Sequence, residues 1–142
     1  MLKRRLGRSG FEVSQIAFGC GGTAGLMVRG SHKEQCDVVN EALERGINIF
    51  DTSPTYGAGH SETNLGTVLK TLDATPLIGT KIDIGAGGFE DLEGWIRHSV
   101  QRSQERLGRE RLDILYLHNR VGHRRDLAGR VLSVEEDRKS VV

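Results

Sequence analysis

A chain of 142 residues has room for one domain at most, which excludes a multidomain enzyme. Hydrophobic residues make up 37% of it and the 19 glycines bring the apolar share to about half, an ordinary globular composition with a core to bury. Lys and Arg number 20 against 19 Asp and Glu, so the net charge of +1 leaves no basic surplus for nucleic-acid phosphates. No apolar run approaches the roughly 20 residues of a membrane helix, and the basic start has no apolar stretch behind it. The expectation is a soluble, cytoplasmic protein with neither nucleic acid nor membrane as partner. Cys20 and Cys36 are too few for a disulfide framework and are not spaced as metal ligands, so they read as buried thiols, with no metal site.

At the start, Leu2–Leu6 and Phe11–Val13 flank Gly7–Gly10, which suggests a hairpin placed to plug one end of a sheet. Val13–Phe18, with glycines on both sides, reads as a strand and is followed by a glycine-rich loop, Gly19 to Gly30. Ser31 and Glu34 have the spacing of a capping box, so a helix is expected from Ser31 to Arg45. Cys36, Val39, Ala42 and Leu43 form its apolar stripe, and Gly46 stands at the stop. Ile47–Phe50 makes a second strand and Asp51 to His60 a loop. A helix follows from Ser61 to Leu72, and then a third strand, Leu77–Ile82. Phe89 to Gly108 reads as a long helix with Leu92, Trp95, Ile96, Val100 and Leu107 on one stripe, and Leu112–Leu117 as the fourth strand. Strands alternating with amphipathic helices predict an α/β fold of parallel βαβ units. After Asn119 no convincing further strand is visible.

Parallel α/β sheets hold ligands at the carboxyl ends of their strands. Here those ends carry Asp51, with Tyr56 in the loop behind it, then Lys81, then His118. Taken singly, each has a bland explanation as a turn former, a packing anchor or a solvated charge. Together, four different titratable groups at successive strand ends point to chemistry. A phenol, with a free pKa of about 10, is a poor proton donor at neutral pH, and a neighbouring ammonium favours its anion. Tyr56 beside Lys81, with Asp51 orienting the ammonium and His118 bonding a carbonyl oxygen, would protonate an alkoxide forming on that oxygen. The carbon then needs a nucleophile. No side chain supplies one, which leaves a hydride from a reduced nicotinamide.

The sequence resembles the first half of an aldo-keto reductase, a family of NADPH-dependent (β/α)8 barrels. The likeness runs through Leu6–Gly10, Val13-Ser14, Gly46–Ser53, Tyr56–Glu62, Gly79–Lys81 and Leu115–His118, and its most specific block is Phe50–Thr52 with Tyr56-Gly57 and Ser61-Glu62. By this resemblance Asp51, Tyr56, Lys81 and His118 occupy the catalytic tetrad, with Tyr56 as general acid. Gly22, Thr23 and Asp51 lie near the nicotinamide and its ribose. The implied activity is NADPH-dependent, reversible reduction of a small aldehyde or ketone. Oligomeric state is not legible.

Two alternatives stay open. Gly19–Ala24 fits the glycine fingerprint of a Rossmann dinucleotide-binding domain, but helix signals wait until Ser31 and Asp51 stands 32 residues past Gly19, where that fingerprint places its acid about 20 on. The other is an inactive truncated fragment, because a barrel takes about 250 residues and the sequence offers three βα units and a fourth strand. Residues 1–136 are accordingly expected to be an incomplete barrel domain and 137–142 a non-native tail. One back-translation of Asp137 to Val142, GAT-CGG-AAG-AGC-GTC-GTG, among the many that degeneracy allows, matches a sequencing-library adapter whose next codon, TAG, is a stop.

Overall fold

The computed structural model describes residues 1–21, 25–85, 88, 90–122 and 131–133. The N-terminal hairpin is present: β1 (Lys3–Arg5) pairs antiparallel with β2 (Glu12–Ser14), Lys3 opposite Ser14. The strand expected over Val13–Phe18 is divided. β2 ends at Ser14, the chain bends, and a separate β3 covers Phe18–Gly19. The bend has its cause in polar side chains, one of them distant in the chain, that compete with ladder bonds. The Ser14 hydroxyl donates to Ile16 O at 2.7 Å, while the Ser14 N–H donates to Asn48 Oδ1 at 2.7 Å. Asn48 also donates to Glu12 O at 2.8 Å, which fastens the hairpin to the residue before β4 (Ile49–Asp51), at the amino end of that strand.

A short helix, α1 (Leu26–Arg29), stands within what reads as a plain glycine-rich loop. Helix α2 (His32–Glu44) begins at the expected capping box, with the Ser31 hydroxyl accepting from Glu34 N and the Glu34 carboxylate accepting from Ser31 N. It ends at Gly46, whose φ of 84° lets the Ile47 N–H return to Ala42 O at 3.0 Å. Helix α3 (His60–Thr71), β5 (Leu77–Ile82), helix α4 (Leu92–Leu107) and β6 (Ile114–Leu117) complete the alternation. The four parallel strands lie in chain order, β3-β4-β5-β6, with Gly19 beside Asp51, Asp51 beside Gly79, and Lys81 beside Tyr116.

The main core lies between this sheet and its helices, around fully buried Phe50, Val39, Leu65, Val68 and Ile78, with the Phe18 and Phe50 rings 5.0 Å apart. Burial falls away toward β6, where Leu115 and Tyr116 are 42% and 43% exposed and Trp95 of the expected α4 stripe is 37% exposed. Beyond Asn119, where no strand is expected, β7 (Arg120–Gly122) pairs parallel with β8 (Val131–Ser133). The β-forming Val121 and Val131-Leu132 are embedded in charged sequence, which hides them from a periodicity search. The expected tail, Asp137 to Val142, lies outside the described residues. No helix among the described residues is long and apolar enough to cross a membrane.

Candidate active site

Three strands and one turn carry the reactive groups to one rim. Asp51 ends β4, Lys81 lies one residue before the end of β5, and His118 follows β6, its N–H donating to Ile82 O at 2.7 Å. Tyr56 arrives on a tight turn, Tyr56–Gly59, in which three successive residues have positive φ: Gly57 at 59°, Ala58 at 54° and Gly59 at 96°. Glycine is required at position 57 on two counts, the backbone angle and a close approach, since a Cβ there would lie 2.4 Å from Val28 Cγ1 of α1. The turn swings the chain from β4 into α3 and sets the Tyr56 ring against Gly21, where a Cβ would lie 3.8 Å from Tyr56 Cε2.

The four side chains named from the sequence meet. Lys81 Nζ donates to Asp51 Oδ2 at 2.7 Å and to Thr52 O at 2.8 Å, and it stands 4.8 Å from the centroid of the Tyr56 ring. The Lys81 side chain is 13% exposed and that of Asp51 37%, so the ammonium is shielded while the carboxylate reaches solvent. The Tyr56 and His118 rings meet edge to face, 6.0 Å apart at 84°. Asp51 Oδ1 and His118 Nε2 have no hydrogen-bond partner among the described residues.

Behind the rim are residues to which sequence reasoning gave no structural role. Glu62 of α3 is fully buried; its Oε1 accepts from the Thr80 hydroxyl at 2.6 Å and its Oε2 from Arg106 Nη1 of α4 at 3.0 Å. Thr80 and Lys81 are neighbours on β5 and face opposite sides of the sheet, so one strand segment joins this buried pair to the rim. The Arg106 guanidinium also lies against Gly59, where a Cβ would come within 2.6 Å of its Cζ. On the other side, the Ser61 hydroxyl donates to Cys20 O and accepts from Thr52 Oγ1, both at 2.9 Å, pinning the start of α3 to β3 and β4. Ser53 Oγ and Thr55 Oγ1 lie 3.2 and 3.4 Å from His118 Nδ1. The traces of these contacts in the sequence are the density of hydroxyls around Asp51 and the Ser61-Glu62 pair of the family block.

Cys20 is buried as expected, and its thiol pKa is pushed up to about 12, chiefly by burial and next by the charge of Asp51, with Lys81 opposing. Cys36 departs from the expectation: it is half-buried at the edge of the α2 stripe, its Sγ 3.5 Å from His32 Nε2. Gly22 and Thr23, expected near a cofactor, lie outside the described residues.

Residues 15–125 match the Aldo/keto reductase family. L-Galactose dehydrogenase of Arabidopsis thaliana is 35% identical over 119 residues, which cover 82% of this chain and 37% of that protein. The holo form of an aldo-keto reductase from Bacillus halodurans is similar in structure with a TM-score of 0.68 at 28% identity, over 86% of this chain and 41% of that one. An aldo-keto reductase from Klebsiella pneumoniae in complex with NADPH shares the fold at a TM-score of 0.60 and 19% identity, over 78% of this chain and 37% of that one. The chain spans less than half the length of these relatives.

Proposed function

Because the chain belongs to the aldo/keto reductase family of oxidoreductases and forms an N-terminal part of its (β/α)8 barrel, we propose that it carries the proton-handling side of a nicotinamide-dependent carbonyl reduction, with Tyr56 as general acid. Likeness to barrels displaces the Rossmann alternative. The observation that carries the reading is Lys81 Nζ held on Asp51 at 2.7 Å while it stands 4.8 Å from the centre of the Tyr56 ring.

The residues present fit a nicotinamide nucleotide. A Cβ on Gly19 would meet nothing within 4 Å, one on Gly21 would come no nearer than 3.8 Å to the Tyr56 ring, and Asp51 Oδ1, with no hydrogen-bond partner among the described residues, can accept from a ribose hydroxyl. Asp51, with Gly22 and Thr23 of the adjoining loop, would hold the nicotinamide and its ribose, NADPH being the form the family resemblance implies. When bound, a reduced nicotinamide supplies the hydride that reaches the carbonyl carbon. Tyr56 gives its phenolic proton to the carbonyl oxygen, so that oxygen and carbon together gain the two hydrogens of the alcohol. Lys81 stabilises the negative charge left on the phenol oxygen, Asp51 keeps Lys81 oriented, and His118 Nε2 bonds the carbonyl oxygen. A positioned general acid contributes roughly 10²–10⁴-fold in rate. In the reverse direction the same oxygen of Tyr56 takes the alcohol proton back.

The substrate class is a small aldehyde or ketone, and the Arabidopsis relative makes an aldose the first compound to try in the oxidative direction. Barrels commonly hold phosphate at the loops after strands seven and eight, so tight nucleotide binding is proposed for this chain within a complete barrel. The second reading, a chain that keeps the tetrad without turnover, draws on the short span of the relatives it covers. The test is transfer of deuterium from deuterated NADPH to an aldehyde panel, and of hydride from L-galactose to NADP or NAD, in a protein holding all eight strands. Transfer to the carbonyl carbon is expected. Nicotinamide binding without transfer to any carbonyl would favour the second reading.

A further inference from the structure

We propose that Ser53 and Thr55 are positioning residues for His118: their hydroxyls hold Nδ1 as a hydrogen-bond acceptor, so that the ring turns Nε2–H toward the substrate oxygen. The argument is a count of protons. The Thr55 N–H donates to Ser53 Oγ at 3.2 Å, Ser53 Oγ and Thr55 Oγ1 are 2.9 Å apart, and both oxygens face His118 Nδ1, at 3.2 and 3.4 Å. A hydroxyl carries one proton and two lone pairs, and a neutral imidazole has one donor nitrogen and one acceptor. If Nδ1 accepts, two arrangements satisfy the cluster. Ser53 donates to Nδ1 while Thr55 donates to Ser53, or Ser53 donates to Thr55 while Thr55 donates to Nδ1. Either one places both hydroxyl protons.

If Nδ1 carries the proton instead, Ser53 Oγ or Thr55 Oγ1 must accept from it. In either case the single contact between the two hydroxyls takes one of their protons, and the other has no acceptor within the cluster. The count therefore favours Nδ1 as acceptor and leaves the ring proton on Nε2, which has no partner among the described residues. A carbonyl oxygen only accepts, so an imidazole bonds it through N–H and repels it through a lone pair. The loop that brings Tyr56 from β4 thus also prepares the second group that meets the carbonyl. The consequence for catalysis rests on the reductase reading; the state of the ring does not.

The experiment is long-range proton–nitrogen correlation NMR of the protein with ¹⁵N-histidine, His118 being assigned by the signal lost in His118→Gln. In the wild-type protein the Nε2-protonated pattern is expected, with Nδ1 shifted upfield as a hydrogen-bond acceptor. Ser53→Ala and Thr55→Val each leave one hydroxyl donor and should keep that pattern. The double variant should move Nδ1 downfield toward an unbonded value, and Ser53→Ala/Thr55→Ser should restore it. If carbonyl reduction is observed, the double variant should lower kcat by about tenfold with nicotinamide affinity unchanged, the size expected when a reacting group loses its orientation. A wild-type His118 protonated on Nδ1 would overturn the proposal even if no Ser53 or Thr55 variant folds. So would an Nδ1 signal that the double variant leaves in place. A protein with the expected ring state and no carbonyl reduction would instead refute the reductase reading and leave this proposal standing.

Discussion

Replacing Arg106 by leucine should destabilise the fold by about 3–5 kcal/mol, the typical cost of breaking a buried ion pair from one side. Glu62 is 0% exposed and the Arg106 side chain 21%, so water does little to screen either. The guanidinium stands 3.0 Å from Oε2, and without it the carboxylate keeps, among the described residues, only the Thr80 hydroxyl, 2.6 Å from Oε1. A charge in an apolar setting with one neutral donor is poorly compensated. Removing the charge as well should recover most of the loss: Arg106→Leu/Glu62→Met is expected to cost about 1–3 kcal/mol, the penalty of leaving the buried Thr80 hydroxyl unbonded. At about 3 °C per kcal/mol, the single substitution lowers Tm by roughly 10–15 °C. Urea titrations followed by far-ultraviolet circular dichroism measure both variants against the parent. A single-variant loss below about 1 kcal/mol, or a double variant as unstable as the single, would refute the reasoning.

Gly57→Ala should cost about 1–2 kcal/mol for the positive φ and about 1–3 more for the contact with Val28; Val28→Ala in the same chain should return only the second part, measured by the same titrations. Lys81→Met should lower kcat for carbonyl reduction at least about 100-fold with the protein still folded, since the charge facing the Tyr56 ring is lost; steady-state kinetics with near-normal kcat would remove Lys81 from the site. Cys20 should resist a disulfide reagent at neutral pH in the folded protein while Cys36 reacts, with both reacting in urea. Its thiol, raised from 9.0 to about 12, keeps its proton in the folded chain where the unfolded chain has lost it. That contribution to stability is whole below about pH 9 and is lost as pH rises toward about 12, so Cys20→Ala should flatten the alkaline fall.

The parts of this molecule legible in its sequence are those fixed by local chemistry. Leu77–Ile82 is bounded by the residues the sequence indicates, and the box of Ser31 and Glu34 starts its helix where its spacing requires. The meeting of Asp51, Tyr56, Lys81 and His118 is legible because parallel strands end on one rim and the residues there are of titratable types. What escaped depends on partners distant in the chain. The strand break at Ser14 follows from Asn48, 34 residues on, and the buried pair joins Glu62 to Arg106 across 44. Helix α1 lies under a run of glycines that favours no element, and its contact with Gly57 is tertiary. The apolar stripe of α4 is real as a pattern, but a pattern does not say how deeply Trp95 is covered.

The most direct measurement is Tyr56→Phe in a protein that holds the whole barrel. The phenyl ring keeps its place beside Gly21 and Lys81, and only the hydroxyl that carries the proton is removed. Nicotinamide binding, followed by fluorescence titration, should stay within about twofold of the parent, while single-turnover carbonyl reduction should fall by at least about 100-fold. Reduction at the parent rate with the hydroxyl gone would contradict the assignment of Tyr56 as the proton donor.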